Sequence, residues 1–397
     1  MPRSAFALVL ATGFSIGVTS AAVLSAWGPA DRNARSGPAP AAVPSAASRQ
    51  DVGAIDPDDP ESLDRLLAQL ATKRVVFVGE THDRYDHHLN QLAIIRGLRE
   101  RGVDLAVGME SFQEPFQQAL NQYIAGEIPE KALLKRTAYY ERWRFDYRLY
   151  RDILEYARSH SIPLIALNAP SEMVAKVSRG GFEGLTAEER ARLPADLSSA
   201  GKGYQARLRP IFEAHGKTSG EHFRRFVQVQ MLWDEHMARV ARDYLADHPE
   251  KTLVVLAGSG HIAYPDAIPD RLERMLPSDQ AVVVIGAAEG FSGGRYDFRL
   301  AERDIDLPAP GRLGVVLASD DSAVRLQQVK PDSPAAASGL RAGDRVLSIA
   351  GEPIRQIEDV SLALLDRAPG EEVWVEIERL SGARGQEARL GGAVMLF

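Results

Sequence analysis

The chain has 397 residues, 45% of them hydrophobic, with a formal net charge of -7 spread along its length; a single domain usually holds about 100–200 residues, so two folded units are expected. No basic run is dense enough to track a phosphate backbone, which sets nucleic acid aside. The lack of any cysteine excludes disulfides, thiolate metal ligands and a lipid-bearing cysteine, so the protein is not a lipoprotein.

In chain order, residues 1–27 place Arg3 ahead of an apolar stretch from Ala5 to Trp27, the pattern of a signal peptide or signal anchor. The expected location is the periplasm or the outer face of the inner membrane. Residues 28–50, "GPADRNARSGPAPAAVPSAASRQ", are rich in Pro, Ala, Ser and Gly and offer almost no large apolar side chain to offset the entropy of folding, so they read as a disordered linker.

From residue 51 to 306 short apolar runs alternate with helical periodicities, the pattern of an α/β domain with a mainly parallel sheet flanked by helices. The runs are "RVVFVGETH", "VDLAVGMES", "IPLIALNAP", "TLVVLAGSGH" and "AVVVIGAAEG", each nearly continuous, as strands covered on both faces must be. After the first run, Leu89, Leu92, Ile95 and Leu98 recur at helical spacing, and the longest helix is expected in "HFRRFVQVQMLWDEHMARVARDYLADHP". A composition shift at "DIDLPAPGRLG" marks a second, β-rich unit over residues 307–397.

In an open parallel sheet, ligands bind beyond the carboxyl ends of the strands. The residues that follow each run there are Glu80 and His82, Glu110, Asn168, and Ser259 and His261. Glu80 and His82 stand at i and i+2, on one side of an extended segment, so one carboxylate and one imidazole can reach the same ion. With Glu110 and His261 they make a set of two carboxylates and two imidazoles, a donor set suited to Zn, Mn, Co or Fe. His87 and His88 lie about 100° apart on the following helix, so one of them is expected to face solvent. Gln230, Asp234 and Met237 share a face of the long helix that can approach the rim. "LAGSGH" is not a serine-hydrolase elbow, because it lacks the G-x-S-x-G spacing around Ser259.

The motifs "VVFVGETHDRYDHH", "GMESFQ", "QMLWDEHMA" and "GSGHIAY", in this order and spacing, resemble the ChaN proteins of the haem-binding uptake, Tiki superfamily, over about Leu63 to Gly286. The resemblance implies a helical subdomain beside the sheet, haem or iron as cofactor or cargo, a role in haem or iron uptake or storage, and a homodimer that sandwiches haem between subunits. It implies a tyrosine on the iron with help from a histidine of the partner. It also keeps open an alternative, a metal-dependent, peptidase-like hydrolase that uses the Glu and His strand ends, as related branches do. A phenolate suits ferric iron and propionates need cations nearby. On those grounds Tyr204 is the first candidate ligand, with Arg207, Arg209 and His215 around it, and Tyr147 and Tyr150, in an aromatic-rich segment, are rivals.

"GRLGVVL" followed by "VKPDSPAAASGLRAGDRVLSIAGEPI" resembles a bacterial PDZ domain of the kind appended to periplasmic proteases. Leu313, Gly314 and Val315 would form the loop whose N–H groups hold the carboxylate of a protein's C-terminal peptide, which then adds as a strand. A third reading makes this module primary and the α/β domain a scaffold.

Overall fold

The computed structural model describes residues 6–9 and 54–397, apart from 195, 196, 198, 199, 215–218, 321, 322 and 382–385. The described residues divide into two compact units, one within residues 54–306 and one made of Phe6–Val9 together with Leu307–Phe397. Apart from Phe6–Val9, the expected signal segment and linker lie outside the described residues.

The larger unit is built on a six-stranded sheet of order β4-β3-β5-β2-β6-β7, with β2 Val75–Glu80, β3 Leu105–Gln113, β4 Leu164–Asn168, β5 Thr252–Gly258, β6 Gln280–Ile285 and β7 Phe298–Leu300. Every pairing in it is parallel. Val75, Val76, Phe77 and Val78 are wholly buried, because helices cover both faces of a central parallel strand. The expected α/β class with a parallel sheet flanked by helices is therefore what the chain forms.

Local chemistry starts and packs the helices. Asp59 caps the Pro60–Leu70 helix by accepting from the N–H groups of Glu61 and Ser62, and Pro60 supplies the preset first turn. The Tyr85–Glu100 helix packs on it where Gly97, having no side chain, lets Leu67 sit against the backbone. A run of short helices between β3 and β4, ending in Arg148–Ser159, lies beside the sheet. The 28-residue helix Gly220–Asp247 carries buried side chains over most of its length, including the polar Gln230, Asp234, Glu235 and His236. His160 and His248 sit at helix C-caps, each within 2.9 Å of a last-turn carbonyl, Tyr156 or Tyr244.

The smaller unit is an antiparallel sheet in the order β1-β8-β9-β10-β12-β13, with β1 Phe6–Val9, β8 Val315–Ser319, β9 Val324–Val329, β10 Arg345–Ile349, β12 Glu372–Ser381 and β13 Gln386–Met395; β11, Glu352–Pro353, pairs with β10. Its core gathers Val315, Leu317, Val346, Val360, Val375 and Val394 around the Ile357–Leu364 helix. This is the small β-rich C-terminal domain expected from the sequence.

Among the described residues no helix is long and apolar enough to cross a membrane.

Candidate functional site

Three adjacent strands, β3, β5 and β2, end side by side, and the expected rim residues project from those ends. Glu80 closes β2 and is 3% exposed. Its Oε1 lies 2.8 Å from His82 Nδ1 and accepts a hydrogen bond of 2.8 Å from the Tyr150 hydroxyl. Its Oε2 lies 2.9 Å from His88 Nδ1. Burial alone would raise the Glu80 carboxyl, but His88 and His82 hold it well below the usual carboxylate range. Burial likewise opposes charge on His88, and the Glu80 carboxylate overrides it and raises His88 above an ordinary histidine.

His82 is turned by this bond so that its other ring nitrogen faces β5. Its ring is wedged against Trp143, edge-on at 4.8 Å, and Phe145 at 5.0 Å. A Cβ on Gly258 would stand 2.9 Å from His82 Cε1, 3.2 Å from Nε2 and 3.6 Å from Glu110 Oε2. Gly258 is the floor on which His82 and Glu110 meet, and glycine is required there for space.

Glu110 Oε2 accepts the Gly258 N–H at 2.7 Å, and its Oε1 lies 3.7 Å from His261 Nε2. His261, in the short helix that follows β5, is held from behind, with Nδ1 2.5 Å from Asp234 Oδ1. The second Asp234 oxygen accepts the Tyr204 hydroxyl at 2.7 Å. A buried chain therefore runs Tyr204, Asp234, His261, Glu110. Burial works against charge on His261, while Asp234 and then Glu110 prevail and raise its pKa above the ordinary value. Asn168 serves the same wall indirectly, donating to the Glu110 carbonyl at 2.9 Å.

The structure thus brings Glu80, His82, Glu110 and His261 to one rim. Among the described residues, however, no group of three or more His, Asp or Glu side chains is disposed to hold a metal ion. The reason is visible in the bonds: Glu80 is taken up by His82, His88 and Tyr150, and His261 by Asp234.

Other expectations need correction. Neither His87 nor His88 faces solvent; each is 1% exposed. His87 Nδ1 accepts the Thr81 N–H at 3.0 Å, and its Nε2 lies 3.5 Å from Glu302. His88 Nε2 lies 3.1 Å from the His82 carbonyl. Both histidines brace the turn that carries Glu80 and His82. Tyr204 and Tyr147 do not present open phenols. Tyr204 is 3% exposed with its hydroxyl committed to Asp234, and Tyr147 is wholly buried with its ring edge-on to Tyr139 at 5.5 Å. Burial, reinforced by Asp234 in one case and Glu130 in the other, pushes both phenols well above 10. Arg207 stacks over the rings of Tyr204 and Tyr264, and Arg209 over Phe223. His215 lies outside the described residues.

Sequence reasoning missed the parts of this site that come from distant segments. Asp234 was placed only on a face able to approach the rim, and its role as the acid behind His261 was not assigned. Trp143 and Phe145, which pack against His82, carried no signal beyond an aromatic-rich stretch, and Tyr150, expected as a rival haem ligand, is buried and donates its hydroxyl to Glu80.

In the smaller unit, Gly314 has φ +77°, a left-handed backbone that favours glycine. The N–H groups of Leu313 and Gly314 have no partner among the described residues. Beside them, β1 lies antiparallel on β8, Val9 opposite Val316 and Phe6 opposite Ser319, so this edge takes an added strand.

Residues 66–272 match the family model described as haem-binding uptake, Tiki superfamily, ChaN, and residues 326–379 match a PDZ domain model. Among solved structures the chain is similar to ChaN of Campylobacter jejuni, described as binding haem cofacially, at 18% identity and TM-score 0.47 over 57% of this chain and 86% of that one. It is also similar to the erythromycin esterase EreC, at 14% identity and TM-score 0.35 over 57% of this chain and 73% of that one. A third match is the serine endoprotease from Yersinia pestis, at 22% identity and TM-score 0.18 over 22% of this chain and 28% of that one. A comparison with curated proteins finds no match.

Proposed function

We propose, for a chain that belongs to the ChaN family of the haem-binding uptake, Tiki superfamily and carries a PDZ domain, that it is an exported protein which binds haem or iron as cargo for uptake or storage. The observation that carries this reading is the family match across residues 66–272. The tyrosines singled out from the sequence do not fit the iron in this chain by itself. Tyr204 and Tyr147 are buried and hold their protons, so no step is assigned to them. Pairing of two subunits around haem belongs to the proposal.

Haem titration of the purified protein, followed by absorbance, tests the reading. Saturable growth of a Soret band at micromolar protein is expected, unchanged in Tyr204→Phe. A flat titration would remove the haem reading. Export is tested separately by fusing residues 1–50 to a reporter that is active only outside the cytoplasm.

The PDZ domain is proposed to engage the C-terminal peptide of a protein partner. Two features support it: the unpartnered N–H groups of Leu313 and Gly314, and the edge of β8 that accepts an antiparallel strand.

One observation favours a second reading, hydrolysis at the rim. Two imidazoles are each fixed through Nδ1 by a buried carboxylate, His82 by Glu80 and His261 by Asp234, which leaves both Nε2 atoms on the side of Glu110 and Gly258. A carboxylate that fixes the tautomer and orientation of an imidazole is how proteins set up a general base. Zn, Mn or Co would supply activation of water, but among the described residues no three His, Asp or Glu side chains are disposed to hold an ion, so no step is routed through one. Ester and peptide hydrolysis assays with and without added metal test this. Loss of turnover in His82→Ala supports it, and turnover that survives His82→Ala and Glu80→Ala excludes it.

A further inference from the structure

On the far side of the buried chain from the rim lies a cavity of about 470 Å³. Tyr204 forms part of its wall while bonding Asp234 with its hydroxyl, so the cavity and the rim are separated by the same residues that connect them. Leu197, Met231 and Met275 provide apolar wall, and Arg271 and Glu235 provide charge.

Arg271 is the informative residue. It is only 5% exposed, and its guanidinium is held in place on two sides: Nε donates to the Asp266 carbonyl at 2.8 Å, and Nη1 to Glu235 Oε2 at 2.6 Å. Its remaining amine, Nη2, has no partner among the described residues and is not closed off from solvent-accessible space. A buried guanidinium ordinarily satisfies all of its donors, so one rigidly aimed into a cavity with an amine to spare is a preorganised anion contact. Arg274, at the same cavity, makes only a loose 3.9 Å pair with Asp266.

We propose that this cavity binds a monocarboxylate with an aliphatic body, its carboxylate on Arg271 and its chain against Leu197, Met231 and Met275. The class follows from the lining. The Glu235 and Asp266 carboxylates in the same wall disfavour a dianion such as a phosphate ester, whereas a single carboxylate is matched by the two N–H groups of the open Arg271 Nη2. Thioether and aliphatic walls reward an apolar chain and adapt to its shape. The volume lies in the range of about 300–1,000 Å³ usual for small-molecule sites. The inference stands apart from haem binding, whose readout is a Soret band, and from rim chemistry.

Isothermal titration of the full-length protein with octanoate, with octanol as the uncharged control, is the experiment. Saturable octanoate binding is expected, with octanol weaker by about tenfold or more, the scale of one charge-assisted hydrogen bond. Met275→Trp fills the cavity without touching the pair between Arg271 and Glu235, and it should abolish octanoate binding while leaving the thermal unfolding of the protein in place. Arg271→Lys keeps a cation for Glu235 but loses the forked donor, and should weaken octanoate about tenfold. If Arg271→Lys does not fold, Met275→Trp decides alone. No saturable heat at millimolar octanoate, equal binding of octanol, or wild-type affinity in Met275→Trp would overturn the proposal.

Discussion

Asp234→Asn is the sharpest perturbation of the rim, because one wholly buried carboxylate supports both a phenol and an imidazole. Asparagine keeps the shape and removes the charge. Of the two bonds, one must then meet an amide NH₂ that cannot accept, so a charge-assisted hydrogen bond worth about 1.5–3 kcal/mol is lost. The pH dependence follows from His261, whose folded-state pKa is raised against burial chiefly by Asp234. A raised histidine contributes stability that is fully present below its unfolded pKa of about 6.5 and is lost as pH rises through the folded value. In the variant Glu110 alone opposes burial, so that contribution goes. The destabilisation is therefore expected to be largest near pH 5.5, about 3 kcal/mol, and to shrink to about 1–2 kcal/mol at high pH, where only the neutral hydrogen bonds differ. Urea unfolding at a series of pH values, read by tryptophan fluorescence, measures it, since Trp233 lies 6.0 Å from the His261 ring. A destabilisation that is constant with pH, or grows toward alkaline pH, would refute the reasoning.

Three further outcomes are expected. Gly258→Ala drives a Cβ to 2.9 Å from a His82 ring that Trp143 and Phe145 prevent from retreating, so unfolding should come about 1–3 kcal/mol sooner, and any rim ligand or turnover should suffer more than stability does. Glu80 has the opposite linkage to His261: its lowered pKa contributes stability above about pH 4.5 that is lost as pH falls through the folded value, so Glu80→Gln should flatten the acid limb of the stability profile, and an unchanged limb would contradict the pairing with His88 and His82. Gly314→Val forces a side chain into a left-handed turn and against Ser333, at a cost of about 1–2 kcal/mol to the PDZ unit; fluorescence anisotropy with a labelled apolar C-terminal peptide should show lost binding while the α/β unit unfolds as before.

What was legible in the sequence, and what was not, has a physical pattern. The strands could be read because a parallel strand covered on both faces must be continuously apolar, as Val75–Val78 are. The four rim residues could be read because topology dictates where such strands end, independent of side-chain detail. His87 and His88 were misjudged because helical periodicity says which residues share a face, not whether a polar face is covered. Here Glu80 and the Glu302 region cover it, and both arrive from outside the helix. Tyr204 was misjudged for a related reason. Nearby arginines suggest an anion-binding surface, but the Arg207 guanidinium instead sits over the rings of Tyr204 and Tyr264, and the hydroxyl of Tyr204 donates to Asp234. Residue type and spacing do not reveal the direction of a hydroxyl.

The two imidazoles make the stronger case that the rim is functional and not merely structural. Stability alone gives little reason to bury Glu80, Asp234, His82, His88 and His261 together, because apolar residues of similar volume usually do as well or better than a buried ionic network. Redundant support points the same way. Glu80 is bound by three side chains and Asp234 by two, yet His82 Nε2 has no partner among the described residues. A network that existed only to satisfy itself would close on that atom. Instead the chain fixes His82 on one side with a carboxylate and on two others with Trp143 and Phe145, and it keeps Gly258 bare beneath the remaining nitrogen. Such an arrangement holds one acid–base atom in a set position, close over the Gly258 backbone.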